Sequence, residues 1–225
     1  MKTTLRILLA IMIGCAFTMN IGCASTPRGP SGFLTNYSKL KEDPEGYLQS
    51  FYVKDGVSLE AYDKVIVNHI TFFFKEDADY KGIHIAELSE LAQHFHNAFV
   101  EALTGAYSFT SEPGPGTLRL RIAITDLVPG KPFSGTMTTI MPPGLIASHI
   151  KKATTGSHIG MGQVSGESEL IDSQTGEILA QAMDTKTGKK YKITKSFTKW
   201  GQVKDIANDW AGSFRRRLDK LSGRK

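Results

Sequence analysis

Cysteine is nearly absent from this chain. Only Cys15 and Cys23 occur among 225 residues, both near the N-terminus. Beyond residue 23 no disulfide can form within the chain, and no thiol is available as a nucleophile. Several signatures of chemistry are missing too. There is no Gly-x-Ser-x-Gly elbow, no His-Glu-x-x-His helix, no phosphate-binding Walker loop and no calcium loop. A strong excess of one charge is also lacking: 27 Lys and Arg stand against 22 Asp and Glu, and two of the cations, Lys2 and Arg6, lie in the first few residues. So mild a balance, evenly spread, argues against a nucleic-acid partner. No repeat at solenoid periods is visible. These absences point away from an enzyme and from any resident metal or cofactor. Carboxylates or histidines gathered by folding leave no local mark, however, so an envelope hydrolase using them near residues 129–162 stays as the alternative reading.

What is present starts with a leader. Lys2 and Arg6 precede an apolar run from Ile7 to Ile21, interrupted by Gly14, Thr18 and Asn20. That length suits a signal-peptide core and is short for a bilayer about 30 Å thick. The run closes on Ile21-Gly22-Cys23-Ala24-Ser25. This resembles the lipobox of bacterial lipoproteins, which implies that residues 1–22 are removed and that Cys23 carries the lipid, including a palmitate-type acyl chain. Met12-Ile13-Gly14-Cys15 is the rival site, but cleavage there leaves a core of only eight residues. Ala24 after the cysteine, by the same resemblance, fits sorting to the outer membrane with the chain facing the periplasm.

Residues 23–50 read as anchor and tether, and 51–225 as a single domain. Ser25 to Gly32 is too rich in Pro, Gly and Ser to fold alone. Phe33, Leu34, Tyr37 and Leu40 then offer side chains able to lash the segment to the domain. The Ser-Gly-Phe-Leu-x-x-Tyr-Ser-x-Leu pattern at Ser31–Leu40, soon after a lipobox, resembles the bacterial lipoproteins grouped as domain of unknown function 3313. The likeness extends through Tyr62-Asp63-Lys64-Val65, Leu170 to Glu177 and Trp210-Ala211. It spans nearly the whole chain beyond the leader and implies no particular activity.

Periodicity outlines the domain. Lys64 to Phe74 is β-branched and aromatic and predicts a strand covered on both faces, with His69 as a hydrogen-bonded strand residue rather than a metal ligand. Ile85, Leu88, Ala92, Phe95, Phe99 and Ala102 form a helical stripe closed by Gly105. His94 and His96, two apart on that helix, point away from each other and cannot share one ion. Tyr107–Thr110 is a short apolar piece. Thr117–Leu127 alternates, predicting Leu118, Leu120, Ile122 and Ile124 inside and Arg119 and Arg121 on a wet face near Glu167 and Glu169. Gln163–Ile171 and Glu177–Met183 read as strands joined by the Asp172–Gly176 turn. A second turn, Asp184–Gly188, leads to a third strand at Lys190–Ser196. Val203, Ile206, Ala207, Trp210, Phe214, Leu218 and Leu221 predict the last helix, and Arg215, Arg216, Arg217, Lys220, Arg224 and Lys225 form its solvated basic end.

This order predicts an α+β fold, a mainly antiparallel sheet with two amphipathic helices packed on one face. Residues 129–162 interrupt it. Their prolines and glycines forbid a long element, and the segment reads as a flexible insert. It carries Met137, Ile140, Met141, Leu145, Ile146 and Ile150, apolar side chains that call for a cover. The expected function is a lipid-anchored periplasmic binding or adaptor module that docks a protein partner through these residues.

Overall fold

A computed structural model describes residues 29–74, 83–129, 162–188 and 199–224. Eight strands are present among them: β1 (Lys41–Glu42), β2 (Ser50–Val53), β3 (Lys64–Val67), β4 (Thr71–Phe72), β5 (Ser108–Phe109), β6 (Thr117–Val128), β7 (Gln163–Asp172) and β8 (Ile178–Thr187). They form one open sheet in the order β1-β2-β8-β7-β6-β3-β5, with β4 also paired to β6. Helices α1 (Ile85–Leu103) and α2 (Gly201–Ser222) pack on one face.

The architecture is α+β, and the sheet is mostly antiparallel but mixed. From β1 to β6 along the sheet order every pair is antiparallel. β3 runs parallel to β5 and β6, and β4 runs parallel to β6. The reason is the crossover. The chain passes from β3 through α1 before returning in β6, and a helical connection of this kind brings strands back parallel. The single strand expected over Lys64–Phe74 is two short ones. Between them the chain leaves the ladder after the Asn68 N–H has donated to the Leu120 carbonyl, and the His69 ring sits against His96 at 5.9 Å.

The core follows the two stripes. Phe95, Phe99, Trp210, Leu120, Ile122 and Ile124 belong to one buried cluster, with Phe214 packed against it. Leu118 joins a second cluster with Leu103, Leu170, Leu179 and Leu218. Ring contacts of 6.0 Å between Phe95 and Trp210 and 5.7 Å between Phe99 and Phe214 knit the helices together. On α1 the buried line is Leu91, Phe95, Ala98, Phe99 and Leu103. Ile85, expected on that stripe, is 82% exposed, and Leu88 is the first residue of the stripe packed against the core.

Two further differences concern the sheet. The far face of β6 is not wet: Ala123 and Thr125 are buried, and so are Glu167, Glu169 and Gln181 beside them. Nor does a turn start at Asp184. β8 continues to Thr187, and Asp184 is buried within it. The expected strand at Lys190–Ser196 lies outside the described residues.

Candidate functional site

Three features stand out on this scaffold, and each is built from residues far apart in sequence. The first is a strap. Residues 31–37 cross the far face of the sheet, held by two buried carboxylates of β7. Glu167 accepts from the Ser31 backbone N–H at 2.9 Å, from Ser31 Oγ at 2.8 Å and from Tyr37 Oη at 2.6 Å. Glu169 accepts from the Thr35 N–H at 2.8 Å, from Gln181 Nε2 at 2.9 Å and from Arg121 Nη1 at 2.7 Å. Arg121 in turn lies over the Phe33 ring at 4.9 Å, and Leu34 is buried.

Arg121 and Glu169 therefore pair as expected, directly opposite in register, but Glu169 is fully buried rather than solvated. The other pair does not form by register: Arg119 faces Ile171, and Glu167 faces Ala123. Buried carboxylates need partners to repay lost hydration, and here the strap supplies most of them. Packed structure thus begins at Ser31, within the stretch assigned to the tether.

The second feature is the root of the insert. β6 and β7 are neighbours whose ladder, bulged at Thr125, runs on to Val128 opposite Gln163. Residues 129–162 leave and re-enter the sheet at facing positions. Gln202 of α2 closes this end by accepting from the Gly162 N–H through Oε1, while the Gly188 N–H donates to the Gly162 carbonyl at 2.8 Å. Met137, Ile140, Met141, Leu145, Ile146 and Ile150 lie outside the described residues, as does Cys23.

The third feature is a chamber between α2 and the sheet, which motif reading did not find. Its cavity measures about 100 Å³. Gly166, Ser168, Ala180 and Ala182 form the floor, and Trp210, Phe214 and Leu218 the roof. Large residues on the helix face small ones on the strands, and the volume is left unfilled. At one end the roof touches the floor: a methyl group on Gly166 would stand 2.9 Å from the Trp210 ring. The Trp210 Nε1–H donates to Asp184 at 2.7 Å, and the Gln49 N–H donates to the same carboxylate at 3.0 Å. Burial pushes the Asp184 carboxyl above its ordinary range, although these donors and nearby Lys186 pull the other way.

The open end of the chamber is framed by Phe51, Val53, Leu221 and Arg217 and adjoins an outer cleft that includes Asp43, Arg216 and Lys220. Arg217 Nη2 donates to Asp43, and its guanidinium lies over the Phe51 ring at 4.5 Å. Burial alone would raise the Asp43 carboxyl, but the Leu48 and Glu45 N–H groups and Arg217 together hold it below its usual value. The basic end of α2 is thus not simply solvated. Arg215 pairs with Asp219, Lys220 with Glu45 at 3.0 Å, and Arg224 donates to the Tyr62 carbonyl.

Two further sequence candidates, Asp172 and His94, have structural partners. Asp172 accepts from the Gln174 and Thr175 N–H groups, the turn chemistry expected of it, and also from Tyr62 Oη at 2.6 Å. His94 Nε2 contacts the Lys204 carbonyl at 3.3 Å. Among the described residues no group of three or more His, Cys, Asp or Glu is placed to hold a metal ion, and no helix is long and apolar enough to cross a membrane.

An open mixed sheet with two helices on one face, a bonded strap on the other and an apolar chamber under α2 defines an α+β domain. The chain belongs to the DUF3313 family, described as proteins of unknown function, whose model matches residues 29–214. That span starts at the strap and ends in α2. No curated protein matches the sequence. Among solved structures, a PelC dodecamer from Paraburkholderia phytofirmans is similar at 15% identity and a TM-score of 0.39, covering 78% of this chain and 97% of that one. A Xanthomonas campestris protein of the DUF330 family is similar at 8% identity and a TM-score of 0.38, covering 75% and 93%. Likenesses this distant carry no inference about what the present chain binds.

Proposed function

We propose that this protein is a lipid-anchored binding or adaptor module of the bacterial envelope. Cys23 carries the lipid, and Met137, Ile140, Met141, Leu145, Ile146 and Ile150 dock a protein partner. The anchor holds the domain at the outer membrane, facing the periplasm. The observation that carries the reading is the register of β6 and β7. Strands paired as far as Val128 and Gln163 need only a tight turn of about 2–5 residues to join them. The chain instead spends residues 129–162 there, and long excursions of this kind in compact domains usually serve function.

Replacement of residues 130–161 by a short Gly/Asn turn tests the reading. Cross-linking in intact cells is expected to lose its partner bands while the thermal midpoint stays within a few degrees. Retained partner bands, or collapse of the fold, would overturn it. The anchor is tested separately by metabolic labelling with a fatty-acid probe. Label is expected to disappear with Cys23→Ser. Its loss with Cys15→Ser alone would move the lipid to the rival site.

A further inference from the structure

We infer that the chamber beneath α2 binds the alkyl chain of an anionic amphiphile, with the acidic head group held at the mouth by Arg217. This rests on the reading of the protein as a binding module and names a ligand class for it. Ser168, Ala180 and Ala182 lie on central strands under a helix, where burial should be complete, yet each is only partly buried. The space they border therefore communicates with the surface. An apolar cavity somewhat larger, about 150 Å³, stays dry and accepts a guest the size of benzene. A chamber of about 100 Å³ opening into an outer cleft suits a flexible chain end better than a rigid ring.

The mouth selects the head group. Arg217, Arg216 and Lys220 line the outer cleft, facing Asp43 and Glu45. Lys220 and Glu45 are both well exposed, so their direct ion pair is weak. Arg217 is different, because it stands at both the chamber and the cleft. Its Nε is buried and has no hydrogen-bond partner. Its present partner, Asp43, also accepts from the Glu45, Tyr47 and Leu48 N–H groups. Asp43 thus takes only Nη2 of Arg217 and leaves the rest of the fork for a ligand. A carboxylate or phosphate entering at the mouth would meet an arginine with a donor to spare, the fork geometry that such groups favour. With three cations against two carboxylates at the mouth, a cationic or neutral head group gains less there.

Trp210 forms part of the roof and can report occupancy. The chain has two tryptophans, so the Trp200→Phe background leaves Trp210 as the sole emitter. The probe is a terminally brominated decanoate, used below its micellar concentration, because bromine quenches an indole in contact. Saturable quenching is expected in the full mature protein. Ala182→Leu, which fills the chamber, and Arg217→Gln, which removes the charge, are each expected to weaken binding at least tenfold. The matching brominated alcohol and alkyl-trimethylammonium are expected to bind at least tenfold more weakly than the acid. Ala180→Val serves as a second filling variant if Ala182→Leu melts early. Quenching indifferent to both filling variants, equal for all three head groups, or absent altogether would overturn the inference. Repeating the titration with brominated lysophosphatidylglycerol separates a free acid from a lipid source. Lost quenching with partner cross-linking intact would sink the ligand alone, and the converse would sink the docking alone.

Discussion

Gly166, Asp184 and Trp210 act as one interlock. Gly166 and Asp184 face each other across β7 and β8, and the indole fits above the glycine because no Cβ is there. Gly166→Ala is expected to cost about 1–3 kcal/mol through overpacking, read as a lowered urea midpoint. Trp210→Phe should recover part of that loss in the double variant, since the smaller ring clears the new methyl. Additive losses would show that the two sites are not in contact. Tyr62 gives a pH prediction. Burial first, then its bond to Asp172, raises the phenol from 10.0 to about 12. The folded state thus holds this proton more tightly than the unfolded one. Its contribution is complete below pH 10 and is lost as the pH rises toward 12. The stability advantage of wild type over Tyr62→Phe should shrink across that window, and a constant difference would refute the linkage. Asp184 behaves with the same sign at acid pH, because burial raises its carboxyl. Wild type should lose stability relative to Asp184→Asn as the pH climbs from the ordinary carboxylate value of 3.8 through the raised one.

At the scale of elements the strap governs the far face. Tyr37→Phe removes a hydrogen bond to a buried carboxylate, a loss of about 1.5–3 kcal/mol, and should speed amide exchange at Ser31 and Thr35 before the helices respond. Uniform loss of protection across the domain would mean that the strap does not open separately. The same element explains why the sequence misleads about β6. Arg119 and Arg121 alternate with Leu118, Leu120 and Ile122 as in a half-solvated strand, and nothing local betrays a cover arriving from residues 31–37. Both helices were legible because a stripe such as Phe95, Phe99 and Ala102 repeats at the helical period within one segment. β6 and β7 were legible from their alternation. The chamber was not, since Gly166, Ser168, Ala180 and Ala182 are unremarkable small residues until two strands and α2 bring them together. Asp184 resembled a turn residue because Gly188 follows it at turn spacing. Its true role depends on Trp210, 26 positions away. The parallel return of β6 beside β3 is likewise set by the path of α1 over the sheet, which composition does not record.

For the whole molecule, the strap would fix how far the domain stands from the anchor proposed at Cys23. With the lipid on Cys23, eight residues separate it from Ser31, whose backbone and hydroxyl are bonded to Glu167. A fully extended chain spans at most about 3.3–3.6 Å per residue, which limits this reach to about 26–29 Å. The far face of the sheet must then lie close to the bilayer surface. Were the strap free, the tether would lengthen and this constraint would relax. Fluorescence transfer measures the effect: a donor on Thr35→Cys, an exposed position, and an acceptor on the lipids of vesicles carrying the lipidated protein. Efficient transfer is expected in the native chain. Inserting about 20 Gly/Ser residues between Thr26 and Gly29 adds an r.m.s. span of about 25 Å and should lower transfer sharply while leaving the melting curve unchanged. Glu167→Gln should lower it less, because Glu169 still grips the strap at Thr35. If the inserted chain transfers as efficiently as the native one, the domain itself adheres to the bilayer, and tether length is not what holds it there.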